Sequence, residues 1–195
     1  MSDLRVHKTK YINETKRVSF KYDGKNYFGY EGDTLASALL ANGVHLIGRS
    51  FKYHRPRGIM SCGSEEPNAI CQISDKNDLT EPNVRATELE IYDGLEAFSQ
   101  NCWPNVKFDI GGINNLISPL IPAGFYYKTF MWPKSFWKKV YEPLIRMSAG
   151  LGKSPTEPDP DIYDHKYVHY DVLVIGGGLS GLISAKIAAQ SNLKT

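Results

Sequence analysis

The sequence predicts an α+β chain in two unequal parts, and three observations predict it. Positions 17–30 alternate apolar and polar residues about an Asp23-Gly24 dipeptide, a helix signal with its own start and stop follows at 33–43, and four branched apolar residues at 172–175 run into the glycines of 176–178 and a helix-forming tail. Hairpin, helix and further short strands is the order of a ubiquitin-like β-grasp domain. Strand, glycine turn and helix is the opening of a Rossmann dinucleotide-binding unit.

Residues 1–16 are polar and without period, and read as a flexible or partner-bound arm. The β-grasp part is expected over 17–104. Val18, Phe20 and Tyr22 alternate with polar residues on a first strand, Asp23-Gly24 suits the positive φ of a two-residue hairpin turn, and Tyr27, Phe28 and Tyr30 lie on the return strand. Asp33 or Thr34 then caps a helix whose apolar face is Leu35, Ala38 and Leu39, with Gly43 as its stop. Short strands are expected at 44–47, 69–73 and 84–87, with a turn at 74–78 between the last two, and a short helix at 91–100.

The stretch 105–149 reads as an irregular and helical connection rich in aromatics. Phe125, Tyr126, Tyr127, Phe130, Trp132, Phe136 and Trp137 cluster there, a helix is expected to begin near Pro133, and Pro143 should kink or split it. Core packing, a subunit surface and ring stacking on a cofactor all fit such a cluster. Residues 150–167 carry Pro155, Pro158 and Pro160 among Glu157, Asp159, Asp161 and Asp164, the stiff acidic composition of a linker. The start of the truncated Rossmann domain is expected at 168–195.

Composition bounds the function classes. The chain has 195 residues, 42% hydrophobic and 23% charged, with a formal net charge of +2, so neither nucleic acid nor an anionic membrane is implied as a partner. No apolar run reaches the length of a membrane span and the N-terminus lacks the core of a signal peptide, which makes the cytoplasm the expected location. Three cysteines, Cys62, Cys71 and Cys102, are too few and odd in number for a disulfide framework. No internal repeat, zinc-type spacing or nucleophile signature is present, so no catalytic residue and no metal ligand is assigned.

Two stretches carry candidate chemistry. In the loop 48–68, Arg49, Lys52, His54, Arg55 and Arg57 surround Phe51 and Tyr53 and are followed by Glu65 and Glu66. A solvated loop, a subunit contact and an anion site are all compatible with that composition. Plant-type ferredoxins, themselves β-grasp domains, take three of four [2Fe-2S] ligands from CxxxxCxxC in the corresponding loop. Set on Cys62, that frame puts Arg57 and Glu65 where the other two cysteines belong, so the expectation is a domain with no [2Fe-2S] cluster and Cys62 as a small buried residue.

The second stretch is Gly176, Gly178 and Gly181, a GxGxxG set that follows a strand pattern and precedes a helix. The first glycine permits a sharp turn, the second lets a pyrophosphate approach the backbone, and the third lets helix and strand pack closely. The phosphates would meet the amides and partial positive charge of the helix N-terminus. An acidic residue about 20 positions further on would hold a ribose hydroxyl. That position falls past Thr195, so NAD and FAD fit the motif equally.

The runs GDTLASALLANGV (32–44), GRSFKYHRPRG (48–58), GSEEPNA (63–69) and AGFYYKTFMWP (123–133) closely resemble the N-terminal region of the alpha subunit of heterotetrameric sarcosine oxidases. The resemblance runs from about Arg17 to the end. It implies a cluster-free ferredoxin-like domain followed by an NAD-binding domain, with a folate-binding domain absent from this chain. It further implies beta, gamma and delta subunits as partners, FAD, FMN and tetrahydrofolate elsewhere in the complex, and oxidative demethylation of sarcosine to glycine. By that resemblance only Gly176, Gly178 and Gly181 match a cofactor motif here, and the isolated piece is expected to be inactive. A subunit of the same layout from another amine-, opine-, proline- or glycine-oxidising complex, and a cofactor-free β-grasp interaction module, are the alternative readings.

Overall fold

The computed structural model describes residues 4–6, 9–74, 80–120, 124, 132–159 and 161–195. They fall into two compact units, Met1–Glu157 and Pro158–Thr195.

The first unit is built on a hairpin. Strand β1 (Asn13–Tyr22) and strand β2 (Lys25–Glu31) are antiparallel, with Tyr22 opposite Lys25. Asp23 (φ 46°) and Gly24 (φ 73°) both take the left-handed region, as a two-residue turn between twisted strands requires. Strand β1 starts before Arg17, because Asn13 pairs with Glu31 across an irregularity that the sequence pattern does not show. The arm before it is anchored too: Leu4 donates its N–H to the Ala41 carbonyl at 2.9 Å, and Arg5 pairs with the buried Asp33.

Helix α1 (Leu35–Ala41) follows, capped by Thr34, one of the two expected candidates, whose Oγ1 accepts from the Ser37 N–H at 3.2 Å. Gly43, at φ 74°, ends it. A two-stranded ribbon, β3 (Gly48–Arg49) with β4 (Pro56–Arg57), comes next, then β5 (Ile70–Ser74), β6 (Thr80–Arg85) and β7 (Glu96–Ser99). The main sheet has the order β2-β1-β7-β5-β6, with β1 and β7 parallel and all other pairs antiparallel. Two outer hairpins about a central parallel pair, with one helix packed against the sheet, is the β-grasp arrangement.

Three expectations are corrected. Residues 96–99 form the central strand β7 rather than part of a helix: Leu95 and Ala97 are buried while Phe98 is exposed, a period of two that fits the slot between β1 and β5. Residues 44–47 make no strand; the ladder begins at Gly48, and Ile47 is held by its N–H to the Arg57 carbonyl at 3.0 Å. Residues 172–175 likewise lie in no ladder, as described for the second unit below.

The core joins Val18, Phe20 and Tyr22 of β1 to Leu35 and Leu39 of α1 and to Cys71 and Leu95. Each fully buried leucine contributes about 2 kcal/mol. The Tyr22 hydroxyl donates to the Ile47 carbonyl at 2.9 Å, and burial pushes its phenol well above the ordinary value. Tyr22→Phe is therefore expected to cost about 1 kcal/mol, because it leaves that carbonyl unpaired in the core. A lower urea midpoint at unchanged slope is the check.

After β7 the chain runs through helix α2 (Ile113–Leu116), a 3₁₀ turn at Ser118–Leu120, and a composite helix: 3₁₀ at Lys134–Phe136, π at Trp137–Tyr141 and α3 (Glu142–Ala149). The disruption expected at Pro143 coincides with this change of helix type, with Pro143 in the first turn of α3. Phe125, Tyr126, Tyr127 and Phe130 lie outside the described residues, as does most of the expected turn at 74–78. The start of the expected linker is tied to the first unit, since the Gly152 N–H donates to Asn83 Oδ1 at 3.1 Å. The division falls later, after Glu157.

In the second unit, residues 172–177 carry no regular secondary structure and lead into helix α4 (Leu179–Gln190), in the helix-forming stretch after the glycines. The Asp171 and Val172 N–H groups donate to the Lys194 carbonyl at 2.9 and 3.2 Å. Leu173 and Ile175 are exposed, so the segment is not covered on two faces. Among the described residues no helix is long and apolar enough to cross a membrane.

Candidate functional site

The glycine turn is the best-formed candidate. Gly176 sits at φ 105°, a conformation that L side chains rarely adopt, and leads the segment before it towards α4. A Cβ on Gly181 would lie 2.0 Å from the Gly176 carbonyl oxygen and 3.5 Å from Val174 Cγ1, so the helix and the segment before the turn touch where a side chain is missing. Around Gly178 the space is open, with nothing within 4 Å of a built Cβ. Gly178 is also the N-cap of α4, and no side chain caps that end of the helix. The first-turn amides and the positive end of the helix dipole thus stand behind an unobstructed glycine, a geometry that can take an anion such as a pyrophosphate. The three predicted glycines are brought together.

The basic loop is largely structural. Arg49 donates through Nε to the Val106 carbonyl at 2.8 Å and through NH2 to the Lys107 carbonyl at 2.9 Å. His54, itself at φ 52°, places Nδ1 2.6 Å from Asp109 Oδ2, and both side chains are largely buried. Arg55 donates through Nε to Asn115 Oδ1 at 2.8 Å. These partners lie more than fifty residues away in sequence, which is why local pattern did not reveal them.

Glu66, 1% exposed, is the functional-looking acid that the sequence did not single out. Its Oε2 accepts from the Met60 and Ser61 N–H groups at 2.7 and 2.6 Å, and its Oε1 from those of Asn68 and Ala69 at 2.8 and 3.1 Å. Burial alone would raise the carboxyl, but the four donors outweigh it and hold the group below its ordinary range. The loop 60–69 is thereby folded around one internal anion.

The three thiols are free and differ in environment: Cys62 is exposed, against the expectation of a buried residue, Cys71 is buried in β5 and Cys102 is half-buried. Desolvation pushes Cys71 up to about 12 and raises Cys102 as well. Because the thiolate is the reactive form, iodoacetamide near neutral pH is expected to label Cys62 first and Cys71 only on unfolding. Peptide mass mapping with and without urea reads this directly.

Comparison with known proteins bears on the whole chain. Residues 15–102 match a family described as a 2Fe-2S iron-sulfur cluster binding domain. The alpha subunit of sarcosine oxidase from Rhizobium meliloti (strain 1021) is 54% identical over 194 residues, covering 100% of this chain and 20% of its own length. The alpha subunits from Corynebacterium sp. strains U-96 and P-1 are 31% and 32% identical over 185 residues, covering 94% of this chain and 14% of theirs. This chain therefore spans about a fifth or less of the relatives it matches. L-proline dehydrogenase from P. horikoshii aligns with 55% of this chain and 19% of its own at 22% identity, with a TM-score of 0.38.

The family match corrects the expectation of a domain with no [2Fe-2S] cluster, since the family matched is defined by binding one. Such clusters are held by four thiolates. Among the described residues no group of three or more His, Cys, Asp or Glu stands together to hold a metal, and Cys71 is enclosed in the core. The described residues thus do not by themselves supply four thiolates for such a cluster.

Proposed function

We propose, from the likeness to sarcosine oxidase alpha subunits that runs along the whole chain, that it is part of the alpha subunit of a multi-subunit amine oxidoreductase. The single observation that carries this reading is the 54% identity across 194 residues. The reaction proposed for the complete assembly is oxidative demethylation of sarcosine to glycine, with beta, gamma and delta subunits as partners. Within it, the ferredoxin-like domain at 17–104 supplies subunit contacts, the part of the expected 150–167 linker that follows Glu157 joins the two units, and 168–195 opens a Rossmann domain. Gly176, Gly178 and Gly181 are proposed to receive the pyrophosphate of a dinucleotide, NAD or FAD, on the N-terminus of α4; the close approach at Gly181 supports this. The cytoplasm is the proposed location, in keeping with three free thiols.

Co-expression of the full-length chain with its neighbouring subunits tests the proposal. Peroxide release with sarcosine, and little with proline, is the expected result. Turnover of proline alone would move the substrate, and an assembly inert towards both would contradict the proposed reaction.

A further inference from the structure

A second surface lies far from the glycine turn in sequence. Ile113 and Leu116 lie one turn apart on α2, Leu120 ends the 3₁₀ turn that follows, and Leu116 and Leu120 are 80% and 82% exposed. Trp103, Phe108 and Phe51 are exposed beside them in sequence or on the linked loop. This is no loose excursion, because the segment is fixed to the basic loop at several points. Val106 and Lys107 accept from Arg49, Asp109 binds His54, Asn115 accepts from Arg55, and Asn114 Nδ2 donates to the Lys52 carbonyl at 3.3 Å. Both Arg57 and Lys107 are exposed on the two linked segments. The one carboxylate within 48–57 and 103–120, Asp109, is buried against His54.

We infer that this apolar and basic face is a docking surface for an acidic subunit of the assembly, one that presents aliphatic side chains ringed by aspartate or glutamate. The inference rests on the proposed multi-subunit reading. Charge argues for that occupant: a second copy of the chain would oppose cation to cation across a two-fold contact. The exposed aliphatic groups of Ile113, Leu116 and Leu120 favour a protein partner, which buries them, over a phosphate backbone, which cannot. Apolar anchors surrounded by complementary charge is the usual anatomy of a protein interface.

The test uses the full-length chain assembled with its co-expressed subunits and a zero-length carbodiimide, which joins lysine amines to carboxylates in contact. The expected product links Lys107 to an aspartate or glutamate of another subunit. Leu116→Asp, Leu120→Asp and the pair Arg57→Glu with Lys107→Glu should each weaken assembly by about tenfold or more, while the unfolding temperature of the variant chain stays unchanged. Added salt should weaken the wild-type assembly. A Lys107 product within the same chain, self-association of the chain through this face, binding to anionic vesicles that Leu116→Asp abolishes, or variants that assemble with wild-type affinity would each overturn the inference. Sarcosine turnover by an assembly whose face stays open would refute the docking surface and leave the amine oxidase reading standing. Absence of any wild-type assembly would remove both.

Discussion

Gly181→Ala is expected to lower dinucleotide binding by the full-length protein at least about tenfold, a loss of about 1.4 kcal/mol or more. The added Cβ would lie 2.0 Å from the Gly176 carbonyl oxygen and 3.1 Å from its carbon. Both are backbone atoms, so no side chain can swing aside; α4 must move away from the turn, and its first-turn amides move with it. Gly177→Ala is the matched control, because nothing lies within 4 Å of a Cβ there. Gly178→Ala separates two causes. It too meets no protein atom, and Gly178 sits at φ −70°, so the helix should survive while a methyl group fills the approach of the phosphates. Circular dichroism together with binding of the labelled dinucleotide distinguishes a displaced helix from an obstructed site.

Replacing Glu66 should produce the largest change in stability. Glu66→Ala strands four backbone N–H groups at the centre of the 60–69 loop, and an unpaired buried donor costs about 1–3 kcal/mol. Partial relaxation of the loop brings the expected total to about 3 kcal/mol. Glu66→Gln keeps one carbonyl oxygen but turns an NH₂ group towards donors, so it should recover only part of the loss. The pH dependence carries a sign. A carboxyl held below its ordinary value of 4.5 contributes stability that is fully present above that value and is lost as the pH falls through the lowered folded-state value. Urea midpoints of wild type and Glu66→Gln should therefore lie furthest apart near neutrality and converge in acid. A constant gap across that range would mean that the charge is not what the loop uses.

Local signals carried much of the fold. The hairpin at Asp23-Gly24, the Thr34 cap and helix α4 follow from turn chemistry, capping and propensity, and the structure has all three where the residues place them. Non-local signals were lost. Strand β7 is too short for its alternation to stand out, and it is a strand because β1 and β5 leave a gap that four residues fill. The links from Arg49 to Val106 and from His54 to Asp109 join segments more than fifty residues apart, so the loop's composition left a solvated loop, a subunit contact and an anion site all open, and which of its charges serve internal bonds was not legible. Glu66 was passed over because nothing in Gly-Ser-Glu-Glu-Pro-Asn says which acid turns inward. The cluster question shows a different limit: ligand spacing read on Cys62 argued for loss of the cluster, whereas the family matched over 15–102 is an iron-sulfur one.

Of the glycine turn, the positive φ at Gly176 and the close approach at Gly181 were legible as places for residues without a Cβ, whereas the strand expected before them lies in no ladder. The anion it would hold is the point on which the functional account depends. The most direct measurement is the nucleotide released by acid from the purified full-length assembly, identified by chromatography and counted per alpha chain, for wild type and Gly181→Ala side by side. About one dinucleotide per wild-type chain, lost in the variant beyond any flavin bound elsewhere, is the predicted result. Wild-type protein without a dinucleotide, or equal content in the two proteins, would contradict the assignment of Gly176, Gly178 and Gly181.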